Sequence, residues 1–141
     1  MDKTEMTALL QEVAAGTLSP EDAALKLKMQ PFQEIGDYAK VDFHRGIRQG
    51  VPEVIYGAGK TKEHILGIAQ AMVKNGQQTV LITRLNQEAA DFVAAALPLK
   101  YDALSKTGVI GELPKPTGKG RVVVATGGTS DIPVAEEAAV T

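Results

Sequence analysis

The sequence contains no cysteine, no tryptophan and only two histidines among its 141 residues. Without cysteine the chain has no disulfide, no thiolate metal site and no cysteine nucleophile, and two histidines argue against a multi-histidine metal site. Aromatic residues make up 4% of the chain, too few for a platform that stacks single-stranded nucleic acid. The net charge of −2, with acids and bases interspersed, predicts no nucleic-acid surface either.

Long hydrophobic runs are also missing. No apolar stretch approaches the roughly 20 residues that cross a membrane, and the N-terminus "MDKTEMTALL" has acids where a signal peptide is basic. A hydrophobic content of 44% with 23% charged residues is typical of globular proteins. We therefore expect a soluble, cytoplasmic protein that does not bind membranes.

The first thirty residues carry the pattern of two short helices. Their first apolar face, at helical spacing, comprises Met6, Leu9, Leu10 and Val13, and Gly16 follows as a cap. In "SPEDAALKLKM", Ser19 is placed to cap a helix that begins at Pro20. The prediction for 1–30 is a helical hairpin.

Residues 31–111 are predicted to form an α/β domain with a small parallel β-α sheet. Residues 30–40 look like a linker, after which the strands "EVIYG" and "TVLIT" alternate with the helices "TKEHILGIAQAMVKNG" and "NQEAADFVAAAL". Weaker strands are expected near 100–104 and 109–113. The inward residues predicted for the two helices are Ile65, Ile68, Ala69 and Met72, and then Ala89, Phe92, Val93 and Ala96.

The chain ends in a strand–turn–helix pattern. Residues 112–120 are rich in proline and glycine and are predicted to be a linker. Residues 121–141, "RVVVATGGTSDIPVAEEAAVT", then begin a strand and a helix that cannot bury their faces alone. We interpret 121–141 as the first β-α unit of a second, truncated α/β domain, and the chain as an N-terminal fragment.

Three stretches are suited to anions. Asp42, Arg45 and Arg48 are spaced for one solvated helix face or for an anion-binding cluster, since guanidinium groups match carboxylates and phosphates. "YGAGKTKEH" fails as a nucleotide-triphosphatase loop because Val54 stands where that motif needs glycine. Two interpretations of this stretch remain: an ordinary β-α turn, or a weak anion site with Lys60.

The third stretch, "ATGGTSDIPVAEEA", is the strongest candidate. Gly127 and Gly128 let a ligand approach the backbone, and Thr129 and Ser130 offer hydroxyl groups. Asp131 could cap the following helix or accept hydrogen bonds from ribose hydroxyls. The acids that follow, Glu136 and Glu137, favour an early helical turn and need no catalytic role.

Taken together, "FHRGIRQGVPEVIYGAGKT", "LITR" and "VATGGTSDIPVAEEAAVT" resemble the pyridinium-3,5-biscarboxylic acid mononucleotide synthase family. That family acts in making the nickel-pincer cofactor of lactate racemase, and its second domain is similar to aminoimidazole ribonucleotide carboxylase. The resemblance implies carboxylation of nicotinic acid adenine dinucleotide with CO2 or bicarbonate, and cleavage of its phosphoanhydride to give the biscarboxylated mononucleotide and AMP.

The resemblance also implies roles for residues. Gly127-Gly128-Thr129-Ser130-Asp131 aligns with the nucleotide-binding loop of the carboxylase-like domain, with a threonine and a second glycine as departures. Asp42, Arg45, Arg48 and Lys60 become candidates for a substrate carboxylate or phosphate. The catalytic cysteine is expected beyond this chain, so the fragment is expected to be inactive, with no metal or cofactor of its own. Mg2+ stays open for the full-length enzyme, which is expected to be a homo-oligomer.

Two other functions remain open at this stage. The chain could be a non-catalytic assembly or regulatory module of a carboxylase-related protein, with the helical hairpin as its contact surface. It could also be a plain α/β scaffold whose charged residues all face solvent.

Overall fold

The computed structural model describes residues 3–29, 32–42, 45, 52–113, 115 and 118–141. Two helices come first, α1 at Lys3–Ala14 and α2 at Pro20–Met29. The predicted cap of α2 forms, because the Asp22 N–H donates to Ser19 Oγ at 3.0 Å and Ser19 Oγ donates to the Asp22 carboxylate at 2.7 Å. Leu9 is buried, whereas Leu10, predicted to share its face, is 56% exposed.

A β-hairpin follows where a linker was predicted. Strand β1, Phe32–Ile35, pairs antiparallel with β2, Ala39–Asp42. The linker prediction was wrong because these residues are part of the core: Val41 is buried, and Ile35 packs against the buried cluster. Asp42 ends a strand, so it does not share a helix face with Arg45 as one interpretation required.

The second sheet is mixed, and the prediction of a parallel sheet was wrong. Its strands are β3 (Ile55–Tyr56), β4 (Val80–Thr83), β5 (Leu99–Asp102) and β6 (Thr107–Ile110), in the order β3-β4-β6-β5. Strands β3, β4 and β5 run in one direction, with β3 and β4 paired as parallel neighbours, whereas β6 lies between β4 and β5 and runs antiparallel to both. The physical reason is chain length: residues 103–106 can join antiparallel neighbours but are too few for the crossover that parallel strands need.

Two helices cover one face of this sheet, α3 at Lys62–Lys74 and α4 at Gln87–Ala94. All four residues predicted to be inward on α3 are buried. On α4 the prediction was right for Ala89 and Val93. It was wrong for Ala96, which is exposed beyond the end of the helix, and for Phe92, which is 36% exposed with the Lys62 ammonium 5.4 Å from its ring centre. The buried cluster comprises Val41, Ile55, Ile65, Ile68, Ala69, Met72, Val80, Ile82, Leu85, Ala89, Ala90, Val93 and Ile110. Each large aliphatic side chain buried there contributes about 1.5–3 kcal/mol relative to an exposed position.

The last described segment contains a helix but no strand. Residues 121–126, predicted to be a strand, pair with no other described residues, and Val122 is 96% exposed. Strand-forming side chains alone do not make a strand, because its N–H and C=O groups need a neighbouring ladder. A 3-10 turn at Thr129–Asp131 leads into α5, Ile132–Val140. None of the helices in the described residues has the length and apolarity to cross a bilayer.

Candidate functional site

Two chain turns lie side by side at the carboxyl edge of the parallel pair. Strand β3 turns through Gly57 towards α3, and β4 turns through Arg84 towards α4. The Gly57 N–H donates to the Thr83 carbonyl at 2.7 Å, and a Cβ on Gly57 would lie 2.9 Å from that oxygen. Only glycine fits this close approach. Ligands of open α/β sheets bind at such an edge.

The turn that carries Lys60 is held by hydrogen bonds among its own residues. The Lys60 N–H donates to the Gly57 carbonyl at 3.1 Å, and Thr61 Oγ1 caps α3 by accepting the His64 N–H at 3.3 Å. A hydrogen bond from its own backbone N–H and another from the Thr61 hydroxyl hold the pKa of Glu63 below its usual value. A carboxylate of this chain therefore already occupies the start of α3, which weakens the turn as a phosphate cradle.

Charges at this edge are mostly paired. The Lys62 ammonium lies 2.6 Å from Glu88, and this hydrogen bond and charge raise the pKa of Lys62. The Lys60 side chain is exposed, and no carboxylate of the described residues pairs with it. Lys60 is thus a cation that an incoming anion could use. The described residues hold no group of three His, Cys, Asp or Glu side chains arranged for a metal.

The Asp42, Arg45 and Arg48 stretch is only partly within the described residues. Arg45 Nη1 donates to Glu53 Oε1 at 2.7 Å, and the two side chains are 42% and 23% exposed. Arg45 is therefore anchored to the segment that enters β3. Arg48 lies outside the described residues, so its candidate role stays a prediction, as do those of Asp42 and Arg45.

The loop Gly127–Asp131 is open to solvent at all five positions. Gly128 has φ of 134° and ψ of 151°, a backbone conformation that essentially only glycine adopts. Asp131 stands at the N-cap position of α5 but makes no side-chain cap hydrogen bond. The side chain of Asp131 therefore does not cap α5, and its predicted contact with ribose hydroxyls stays a prediction. The loop offers two hydroxyl groups and one carboxylate to a ligand.

A further contact at this edge had no signal in the sequence. Arg84 Nε lies 2.9 Å from Glu137 Oε2 and 3.1 Å from Oε1, so a residue after β4 is paired with one on α5. The two residues are 53 positions apart, and although both lie in stretches that carry the family resemblance, no local pattern pairs one with the other. Local patterns predict helices and turns, whereas a long-range ion pair of this kind becomes visible only in the folded chain.

Comparison with known proteins agrees with this architecture. The LarB/PurE-like N-terminal domain family matches residues 32–112, from the β-hairpin to the end of the mixed sheet. An uncharacterized protein of Methanocaldococcus jannaschii is 35% identical over 136 residues, which are 92% of this chain and 53% of the relative. The chain thus spans about half the length of the curated relative it matches. From the match over most of the described core, the chain belongs to the LarB/PurE-like N-terminal domain family.

Proposed function

We propose that this chain is the N-terminal part of an enzyme that carboxylates the pyridinium ring of nicotinic acid adenine dinucleotide. The same enzyme would cleave the phosphoanhydride, releasing AMP and pyridinium-3,5-biscarboxylate mononucleotide for the nickel-pincer cofactor of lactate racemase. The family match over residues 32–112 carries the proposal. The length of the relative supports it further, because that protein has room for a second domain.

The loop Gly127–Asp131 is the proposed nucleotide contact. A dinucleotide presents ribose hydroxyls, which suit a carboxylate acceptor, and phosphate oxygens, which suit hydroxyl and backbone N–H donors. Asp131 is free of a capping bond, and at Gly127 and Gly128 no atom lies within 4 Å of a would-be Cβ, so a ligand can reach the backbone there. These features support binding through the loop without requiring its rearrangement.

The cations of the first domain have a supporting role in this proposal. Lys60 is exposed beside the carboxyl edge of β3, and Glu53 orients the partly exposed side chain of Arg45. Either cation could meet the nicotinate carboxylate or the diphosphate. The nucleophilic cysteine implied by the resemblance is not in this sequence. We therefore propose that this chain alone binds the dinucleotide but does not convert it.

The test is an isotope experiment on the full-length protein. Incubation with nicotinic acid adenine dinucleotide and carbon-13 bicarbonate should give AMP and a mononucleotide with one labelled carboxyl group, read by mass spectrometry. Arg45→Glu and Arg48→Glu should each slow turnover about 10- to 100-fold, the loss of one charge-assisted hydrogen bond. Lys119→Glu, an exposed change in the 112–120 segment, is the matched control. Unlabelled products, or undiminished turnover in both arginine variants that still fold, would contradict the proposal.

A non-catalytic assembly module is the second candidate, and one observation favours it. Leu10 and Leu25, on α1 and α2, are 56% and 55% exposed, an unusual placement for two leucines on neighbouring helices. Sedimentation at several chain concentrations decides this, because assembly through these helices requires a mass that rises with concentration and falls in Leu10→Lys. A monomer at every concentration removes this candidate.

A further inference from the structure

The backbone of Arg84 has an uncommon conformation for its residue type. Its φ of 53° lies in the left-handed region, which few non-glycine residues occupy. Such residues persist where the surroundings fix them, and they concentrate at functional sites. Arg84 follows the carboxyl end of β4, and there Gly57 of the neighbouring turn packs against the Arg84 carbonyl.

The guanidinium of Arg84 meets both oxygens of one carboxylate. Its Nε lies 2.9 Å from Glu137 Oε2 and 3.1 Å from Oε1. The Glu137 side chain is only 17% exposed and that of Arg84 is 42% exposed, so this pair is better shielded than the Lys100–Glu112 pair, at 67% and 86%. Charged hydrogen bonds shielded from water are the stronger ones.

This pair holds an element with few other attachments. Helix α5 has nine residues and no buried residue, and a helix this short is marginal in water by itself. Val140 of α5 also lines a cleft of about 340 Å³ on the β5–β6 face together with Val109 and Leu113. Among the described residues α5 has few contacts outside its own segment, and the Arg84–Glu137 ion pair is one of them.

The same helix carries the loop at its start. Asp131 precedes Glu137 by six positions, which is about 9 Å along a helix. Fixing Glu137 at the carboxyl end of β4 therefore restricts the loop to the neighbourhood of that edge. The exposed Lys60 belongs to the adjacent turn after β3.

We propose that Arg84 is a positioning residue, which through Glu137 fixes α5 and sets where the loop Gly127–Asp131 stands relative to the β3–β4 edge. That the positioned loop takes a nucleotide rests on the proposed function above. Arg84 itself contacts no ligand in this proposal. Its effect passes entirely through the carboxylate on α5.

The test uses the absence of cysteine, which permits a single nitroxide label at Ala139→Cys, an exposed site on α5. In the otherwise native chain the label should broaden the amide resonances of residues 83–85. Arg84→Glu and Glu137→Arg should each abolish this broadening, and the double exchange should restore it. Glu136→Gln, on the exposed side of the same helix, is the matched control and should leave it unchanged.

Two readouts separate positioning from a general structural role. Loss of broadening in the single variants with recovery in the exchanged pair supports the proposal, whereas broadening that persists in both single variants overturns it. If Arg84 only stabilised the core, both single variants would unfold at lower temperature and the exchange would restore nothing, which also overturns it.

The nucleotide is added afterwards, with AMP as the probe. Glu137→Gln is expected to weaken AMP binding by at least about fivefold. If this variant loses the broadening but binds AMP as tightly as the native chain, the role of the pair in placing the loop is overturned. Failure of the unmodified chain to bind AMP counts against the proposed function. The broadening experiment needs no ligand and decides the placement of α5 separately.

Discussion

At the scale of single residues, the turn between β5 and β6 is held by a short chain of polar contacts. Ser105 donates to the Asp102 carboxylate from both its N–H, at 2.9 Å, and its Oγ, at 2.5 Å. The Ser105 hydroxyl bond, followed by its backbone bond, holds the pKa of Asp102 below its usual value. Because the folded-state pKa is below that of the unfolded chain, Asp102 stabilises the fold at neutral pH and loses that contribution as the pH falls through the folded pKa.

Ser105→Ala is therefore expected to raise the pKa of Asp102 towards its usual value. The acid-induced loss of its stabilising contribution then occurs at higher pH. An NMR titration of the Asp102 carboxyl carbon measures this directly. Ser19→Ala removes a similar hydroxyl–carboxylate contact at Asp22 and should leave Asp102 unaffected. An Asp102 titration identical in Ser105→Ala and the native chain would contradict the assigned cause.

Gly57 is the second residue whose environment makes a sharp prediction. A Cβ there would lie 2.9 Å from the Thr83 carbonyl oxygen and 3.2 Å from that of Arg84, and backbone atoms cannot move aside cheaply. Gly57→Ala should therefore lower the free energy of unfolding by about 1–3 kcal/mol, as measured by urea denaturation. Gly118→Ala, where no atom lies within 4 Å of the added carbon, is the control. Equal stability of the two variants would show that the two turns are not packed as described.

At the scale of elements, α4 depends on a cap at its first turn. Asn86 Oδ1 accepts the Ala89 N–H at 2.8 Å, and α4 supplies three buried residues to the core. Asn86→Ala should cost about 0.5–2 kcal/mol of unfolding free energy, measured by thermal or urea unfolding. Asn86→Ser retains a side-chain acceptor and should recover most of that loss. If alanine and serine behave alike, the cap does not hold α4.

Elements were predictable where the pattern was local and long enough. The four buried residues of α3 follow from helical spacing, and Ser19 marks a helix start that forms. The β1–β2 hairpin was missed because four-residue strands carry little periodicity, and their place in the core comes from packing on α3. The antiparallel β5–β6 pair could have been predicted from the brevity of 103–106, which excludes a crossover.

At the scale of the whole molecule, the sequence located the loop but not what holds it. Glycines, hydroxyl residues and an acid before a helix make Gly127–Asp131 a candidate ligand loop from composition alone. The Arg84–Glu137 contact spans 53 positions and depends on a left-handed backbone at Arg84, which no local pattern announces. The strand predicted at 121–126 failed for a related reason: strand propensity is a local property, and it has no effect without a neighbouring strand to pair with.

We propose that this chain carries the nucleotide-binding loop of a carboxylating enzyme. The most direct test is an NMR titration of the chain with nicotinic acid adenine dinucleotide, AMP and inorganic phosphate in parallel. We expect shifts that cluster at Gly127–Asp131 and extend to Lys60 with the dinucleotide. Resonances of Gly127–Asp131 that stay unmoved at millimolar dinucleotide, while the fold remains intact, would contradict it.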